Sequence, residues 1–209
     1  MVHHIVADGW SLNIIRRELG ELYSASVENR AAALPSLPIQ YGDFACTPRE
    51  GLGEDTLERE LAYWEDELQG VSGILELPTD RPRPRRQSDE GAQYTRHMDA
   101  SLARALKQVA DNHGCTLYGV LLAGFMLFLG RYANEKDMVV GTPIANRNRD
   151  EIEPIVGFFS NTLVIRTRLD EAATFPELLS QVHERALGAL AHPNLRFELL
   201  LDNLALVRD

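Results

Sequence analysis

The pattern of apolar and polar residues predicts a helix close to the start of the chain. Between residues 11 and 27, apolar side chains recur with the period of an amphipathic helix. These apolar positions are Leu12, Ile15, Leu19 and Leu22. Ser11 is predicted to cap this helix, which should end near Val27. The apolar run at residues 2–6 is typical of the end of a buried strand, and Asp8-Gly9 then turns the chain.

Two shorter helices are predicted next, at about residues 39–45 and 55–69. The second has one apolar face, followed by Gly70 as a stop signal. That face consists of Leu57, Leu61, Trp64 and Leu68. Residues 77–91 are rich in proline and arginine. We expect this segment to be extended and exposed, because each proline lacks a backbone donor and restricts the residue before it.

The second half of the chain alternates predicted strands and helices, which indicates a mixed α/β fold. The predicted strands are residues 92–98, 138–143 and 162–167. The predicted helices run from Ser101 to a stop at 111–114, from Thr116 to about Tyr132, over 175–190, and over 197–206. We expect the main boundary of the chain in the proline-rich segment. With a second division after residue 35, the predicted parts are residues 1–35, 36–91 and 92–209.

Composition narrows the classes of function. The 209 residues carry 21 Lys and Arg against 31 Asp and Glu, a formal net charge of −10, which argues against nucleic acid or an anionic membrane as the main partner. The uncharged stretch 114–130 is shorter than a spanning helix requires and predicts a buried core helix. Two cysteines, Cys46 and Cys115, are too few for a disulfide framework. A soluble protein in the reducing cytoplasm is expected.

The motif His3-His4-x-x-x-Asp8-Gly9 is the strongest candidate for chemistry. On a strand end, adjacent histidines point to opposite faces, so one imidazole can face a cavity. A glycine turn into a helix N-terminus offers unpaired N–H groups to a developing oxyanion, and a nearby carboxylate can hold the loop. This combination suits acyl transfer with histidine as general base. A metal site and a purely structural histidine pair remain alternatives, although no third ligand stands at a usual spacing.

Six motifs along the chain, including the one at His3–Gly9, resemble those of a known family. They are residues 2–11 (VHHIVADGWS), 41–45 (YGDFA), 77–84 (LPTDRPRP, after Tyr63-Trp64), 139–147 (VVGTPIANR), 156–163 (VGFFSNTL) and 192–198 (HPNLRFE). Together they resemble the condensation domain of non-ribosomal peptide synthetases, in the chloramphenicol-acetyltransferase-like superfamily. The family's motifs read HHxxxDG, YxDYA, VVGTPVAGR, GxFxNT and HQDxPFE. This chain departs from them at Thr47, where a Trp is usual, and at Asn146, which replaces a glycine.

The resemblance implies an α/β fold with two acetyltransferase-like lobes. Residues 1–35 would be the end of a mostly missing first lobe, residues 36–91 a connecting region, and residues 92–209 a nearly complete second lobe with a mixed sheet flanked by helices. The implied activity joins an acyl or peptidyl thioester to the amine of an aminoacyl thioester. Both substrates would be carried on the 4'-phosphopantetheine of donor and acceptor peptidyl carrier proteins, with an adenylation domain adjacent and no cofactor bound directly.

The resemblance also assigns roles to individual residues. His4 would face the tunnel and act on the amine, while His3 would be structural. Asp8 would hold the loop through an ion pair, for which Arg147 is the expected partner, bridging the lobes. The Gly9 amide is the candidate oxyanion donor, with a glycine that simply starts the helix as the alternative. No metal is expected.

Two further sequence features, the pair Asn161-Thr162 and the arginine cluster at residues 81–86, each have two possible interpretations. Asn161 and Thr162 would line the channel or latch the lobes, or else form a hydrogen bond at the start of a strand. The arginine cluster at residues 81–86 would contact a carrier protein or a phosphopantetheine phosphate, or else be a solvated linker.

Other functions stay open for the whole domain. An epimerisation domain shares the fold and the HHxxxDG motif, and would invert a stereocentre without forming an amide. A non-catalytic recruiting module would bind a partner with its tunnel closed. This chain alone could also be an inactive folding unit. Among condensation domains, the segments GFFSNTLVIR and DGWS favour the type that accepts an L-configured donor.

Overall fold

The computed structural model describes residues 2–46, 54–82, 84, 88 and 90–203. The first described element is a short 3₁₀ turn, His4–Val6, and the two described strands, Asp137–Ile144 and Asn161–Arg168, pair in a two-stranded sheet. The elements are α1 (Gly9–Val27), α2 (Tyr41–Cys46), α3 (Glu54–Glu67), α4 (Ala100–Asn112), α5 (Leu117–Ala133), β1 (Asp137–Ile144), β2 (Asn161–Arg168), α6 (Phe175–Ala191) and α7 (Phe197–Asn203). Helices and a small sheet make this an α/β fold, as predicted.

The chain forms two compact units that interleave along the sequence. The described residues of the first unit lie within Met1–Asp66, Thr142–Leu163 and His192–Asn203, and those of the second lie within Glu67–Gly141 and Val164–Ala191. The predicted division at residues 35 and 91 stays a prediction. The HHxxxDG motif and Arg147 both belong to the first unit.

The core of the second unit is built around α5, which packs against α4 and α6. A Cβ at Gly130 would overlap the Leu169 side chain and the Glu135 carbonyl, so this position of α5 accepts only glycine. On β2, the Arg166 guanidinium donates to Asp137 at 2.8 Å and to the carbonyl of Gln69 at 3.0 Å. Hydrogen bonds from Arg166 hold the pKa of Asp137 below its ordinary value.

Several predicted boundaries agree with the structure because the local signals decide them. Thr116 caps α5 by accepting a hydrogen bond from the Gly119 amide at 3.1 Å. Gly70 and Gly114 follow their helices with φ of +74° and +63°, which glycine adopts without strain. The last helix is described to Asn203, and the remainder of its predicted range lies outside the described residues.

Two predicted strands are wrong. Residues 2–6 form an exposed loop and a 3₁₀ turn, and residues 92–98 form an exposed irregular segment. A strand needs a neighbour for its backbone hydrogen bonds. Within the described part of the chain the sheet consists of β1 and β2, so neither segment has a partner strand.

The predicted apolar face of α1 is also wrong, since Leu12, Leu19 and Leu22 are exposed. The buried side of the helix contains Ser11, Ile14 and Ala25, whose spacing follows a different stripe. A helix buries the side on which other residues pack, and here that side begins with a polar serine.

The predicted core helix α5 is only half buried. It buries a face of small and flexible residues that includes Ala123 and Met126. The opposite face leaves Leu121, Phe125 and Phe128 exposed. Among the described residues no single helix could cross a membrane, although α4 and α5 together reach the necessary length and hydropathy across a bend of 102°.

Candidate active site

The N-terminus of α1 is capped by Asp8. Its Oδ1 accepts hydrogen bonds from the Ser11 amide at 2.8 Å and from the Ser11 hydroxyl at 2.7 Å. The prediction that Ser11 caps this helix is wrong, because the extended backbone of Asp8 places its carboxylate beneath the amide three residues later. Ser11 therefore lies inside the first turn, where it is completely buried.

Asp8 forms an ion pair with Arg147, the partner hypothesised from the sequence. Arg147 Nη2 lies 3.2 Å from Asp8 Oδ1, and the two side chains are 0% and 1% exposed. Arg147 Nη1 also donates to the carbonyls of Ile152 and Ile155, at 2.7 Å each. A buried pair of charges is stable only where further hydrogen bonds satisfy both groups. The loop at residues 152–155 supplies such bonds to Nη1, whereas the buried Nε has no hydrogen-bond partner in the described part of the chain.

The backbone before Arg147 directs its side chain inward. Asn146 has a φ of +51°, a left-handed conformation that asparagine tolerates better than most residues. This explains how asparagine can stand where the family motif has glycine. The guanidinium then lies 4.0 Å from the ring centroid of Phe159, within the range of a cation–π contact.

The Ser11 hydroxyl joins α1 to the segment at residues 157–159. It accepts hydrogen bonds from the Gly157 amide at 3.0 Å and from Arg147 at 2.9 Å. The Gly157 carbonyl accepts from the Asp8 amide at 3.2 Å, and the Phe159 amide donates to Asp8 Oδ2 at 3.1 Å. Residues about 146 positions apart are thereby held together by a buried network.

The same network keeps Asp8 ionised. Burial disfavours the carboxylate, but hydrogen bonds from Ser11 and from the Phe159 amide, together with the charge of Arg147, outweigh burial. The pKa of Asp8 is therefore lowered from the ordinary value of 3.8. The carboxylate is thus a permanent acceptor at neutral pH and holds no proton to exchange with a substrate.

Gly157 is required where this segment passes α2. A Cβ there would overlap the ring of Tyr41, which packs against Phe159. We expect Gly157→Ala to destabilise the first unit by about 1–3 kcal/mol, the usual cost of overpacking. Gly20→Ala is the control, since a Cβ at Gly20 on α1 meets open space and should stabilise the helix by about 0.5–1 kcal/mol. Urea unfolding followed by tryptophan fluorescence measures both, and equal stabilities would contradict the overlap.

His4 is the first residue of the 3₁₀ turn, and His3 caps that turn. His3 Nδ1 accepts a hydrogen bond from the Ile5 amide at 3.1 Å, so this ring nitrogen is occupied by a local backbone donor. The His4 ring is exposed and lies against Phe158, with centroids 5.2 Å apart and planes at 82°. The argument from strand alternation does not apply to a 3₁₀ turn. The two imidazoles nevertheless have different surroundings.

Gly9 is the first residue of α1. Amides in the first turn of a helix lack intrahelical acceptors, and they form the positive end of the helix dipole. A Cβ at Gly9 would meet nothing within 4 Å, so packing alone does not require glycine at this position. Its role as an oxyanion donor stays a prediction.

Asn161 ties the start of β2 to the chain beyond α6. Its Nδ2 donates to the carbonyls of Pro193 and Leu195, at 3.0 and 2.8 Å, and its Oδ1 accepts from the Thr162 amide at 2.9 Å. These contacts correspond to the strand-start alternative, with the amide group fully used by the backbone. The channel or latch role of Asn161 and Thr162 stays a prediction.

The other features singled out in the sequence lie away from α1 or outside the described residues, and the roles predicted for them stay predictions. His192 stacks on Tyr63 with ring centroids 3.9 Å apart. In the arginine cluster Arg81 is described, whereas Arg83, Arg85 and Arg86, like Thr47, lie outside the described residues. Among the described residues no group of three or more His, Cys, Asp or Glu could hold a metal ion.

The sequence reasoning missed the hydrogen-bonding role of Ser11 and the contacts of Phe158 and Tyr41. For the bonds of Ser11 to Asp8 a local signal was present in the motif, since a serine three residues after an N-cap aspartate can share its carboxylate. For its bonds to Gly157 and Arg147 no local signal exists. The contacts of Phe158 with His4 and Tyr41 join distant parts of the sequence, and no local pattern indicates them.

Comparison with known proteins decides the family. A family model described as "Condensation domain" matches residues 1–209. The chain belongs to the condensation domain family. Among curated relatives it is 43% identical over 200 residues to malpinin synthetase of Mortierella alpina, covering 96% of this chain and 3% of that protein. It is 42% identical over 200 residues to phosphinothricin tripeptide synthetase PhsC of Streptomyces viridochromogenes, covering 96% of this chain and 18% of that protein.

Solved structures of condensation-type domains have the same fold. The X-domain from teicoplanin biosynthesis matches with a TM-score of 0.90 at 28% identity, covering 100% of this chain and 47% of that one. The first condensation domain of the CDA synthetase matches with a TM-score of 0.80 at 26% identity, covering 100% and 46%. This chain therefore spans less than half of the length of each of these two solved chains, and a smaller share of each of the two synthetases.

Proposed function

We propose that this chain is the part of a peptide synthetase condensation domain that carries the amide-forming site. The observation that supports it is the order of residues at the start of α1: the exposed His4 comes shortly before Asp8 and Gly9, which cap and begin the helix, and its ring contacts Phe158. The buried pair of Asp8 and Arg147 anchors that turn. A base beside a helix N-terminus suits attack on a carbonyl whose oxygen becomes negative.

In the proposed reaction, the amine of a carrier-bound aminoacyl thioester attacks the carbonyl carbon of an acyl or peptidyl thioester. An α-amine has an ordinary pKa of about 7.7–8.0, and it loses a proton to His4 as the C–N bond forms. The Gly9 amide donates to the oxyanion. The C–S bond then breaks, and the donor's phosphopantetheine leaves as a thiolate that takes up a proton. No covalent acyl-enzyme forms.

The proposed partners are those that membership of the condensation domain family implies. Each thioester is carried on the 4'-phosphopantetheine of a peptidyl carrier protein, one donor and one acceptor, and an adenylation domain of the same synthetase loads the amino acid. A four-domain nonribosomal peptide synthetase is among the structural matches, with a TM-score of 0.89 at 25% identity.

A second candidate function is partner binding without catalysis. One structural match is the complex of the X-domain with OxyB from teicoplanin biosynthesis, with a TM-score of 0.89 at 28% identity. A domain of this fold can therefore bind another protein. The intact His4, Asp8 and Gly9 of this chain favour the catalytic function.

The test is amide formation between two loaded carrier proteins, followed by intact-protein mass spectrometry. We expect the synthetase domain that contains this chain to move the donor acyl group onto the acceptor amine, and this chain alone to transfer none. Carrier binding without any transfer would support the partner-binding function. A donor with inverted stereochemistry and no new amide would identify an epimerisation domain.

A further inference from the structure

We infer that Phe158 is a positioning residue that fixes the orientation of the His4 imidazole; the inference rests on the proposed function of His4. The two rings meet nearly at right angles, with centroids 5.2 Å apart and an interplanar angle of 82°. Edge-to-face pairs of this geometry stabilise one mutual orientation beyond the effect of burial. Phe158 occupies a position that the GxFxNT motif leaves unspecified, so the motif assigns it no role.

The backbone of Phe158 is held from both sides, which makes its ring a fixed support. Its carbonyl accepts a hydrogen bond from the Tyr41 hydroxyl at 2.9 Å. The neighbouring Gly157 and Phe159 are bound to Ser11 and Asp8 through the buried network at the start of α1. Because these hydrogen bonds fix the backbone on both sides of Phe158, its ring has a defined position from which it can orient the His4 imidazole.

His4 needs such a support because its own turn supplies little. The 3₁₀ turn at His4–Val6 has no buried residue, and the hydrogen bond from the Ile5 amide goes to His3. Among the residues that the structure describes, the ring contact with Phe158 is the restraint recorded for the His4 side chain. A general base must hold its nitrogen within hydrogen-bond reach of the proton it removes. Loss of the contact would lower the fraction of the domain with His4 in that orientation.

The contact itself is tested by NMR on the full chain. The His4 ring signals are assigned by their absence in His4→Ala. We expect Phe158→Leu to move these signals through the lost ring current, and Phe158→Tyr to leave them close to the wild-type positions. Phe125→Leu is the matched control, since Phe125 is an exposed aromatic residue on α5 in the second unit. Unmoved His4 signals in Phe158→Leu would overturn the inference.

A subtler variant tests the support of the backbone. Tyr41→Phe keeps the ring that packs on Phe159 and removes only the hydroxyl that donates to the Phe158 carbonyl. We expect it to move the His4 signals in the same direction as Phe158→Leu, by a smaller amount. A response confined to the Tyr41 neighbourhood would show that Phe158 needs no such tether, and would overturn this part of the inference.

The catalytic consequence is measured in the synthetase domain that contains the chain. We expect Phe158→Leu to lower kcat for amide formation about 2- to 13-fold, the effect of one aromatic pair, with KM for the acceptor thioester unchanged. Phe158→Tyr should restore kcat. A normal kcat in a leucine variant whose His4 signals have moved would overturn the positioning role. A wild-type domain that forms no amide would instead contradict the proposed function, and the NMR experiment would still decide the orientation of His4.

Discussion

Asp8→Ala is expected to lower the free energy of unfolding of the first unit by about 3–5 kcal/mol, the cost of removing one partner of a buried ion pair. The variant leaves the Arg147 guanidinium buried without its counter-charge. It also removes the cap of α1 and the acceptor of the Phe159 amide. Glu28→Ala is the control, because the pair of Glu28 with Arg30 is exposed and such pairs add little.

Tryptophan fluorescence during urea unfolding is the appropriate measurement. The sequence contains two tryptophans, Trp10 and Trp64, and both lie in the first unit. The Trp10 indole donates to the Glu153 carbonyl at 3.1 Å, so it reports on the loop that also binds Arg147. A folded Asp8→Ala domain with unchanged stability and lost turnover would contradict an architectural role for Asp8.

The stabilisation by Asp8 should depend on pH in a defined direction. Its pKa in the folded state is lowered from the ordinary 3.8, so folding favours the ionised carboxylate. The contribution is therefore complete above about pH 4 and is lost as the pH falls through the folded value. We expect the stability difference between wild type and Asp8→Asn to be constant near neutral pH and to shrink below about pH 4. A difference that grows on acidification would have the wrong sign.

The helices were more predictable than the strands, for a physical reason. Capping residues and glycine stops act within a few residues, so the ends of α5 at Thr116 and of α4 near Gly114 follow from local sequence. A strand is stable only beside another strand. The apolar runs at 2–6 and 92–98 look like strands locally, but no described strand lies beside them.

The sequence motif of the candidate site was predictable, but most of the hydrogen-bond partners of its residues were not. The resemblance indicated that Asp8 needs a cationic partner, and the structure brings Arg147 to it. The buried Ser11 hydroxyl was not predicted, because its partners Gly157 and Arg147 are more than a hundred residues away. A serine on a helix has no local feature that distinguishes a distant buried acceptor from solvent.

His4→Ala should slow amide formation by roughly 10²–10⁴-fold, the usual contribution of a general base. The measurement is the single-turnover rate between loaded carrier proteins in the synthetase domain that contains this chain. His3→Ala is the matched control, since its ring serves the Ile5 amide and its loss should cost at most about tenfold. Similar rates for the two variants would show that His4 has no special role in the reaction.

His4→Gln separates proton transfer from positioning of the amine. A glutamine amide can accept a hydrogen bond from the amine but cannot take its proton at neutral pH. Because we propose that His4 is the base, His4→Gln should be as slow as His4→Ala. A glutamine variant that recovers most of the wild-type rate would mean that His4 holds the amine in place and that another acceptor, such as water, receives the proton.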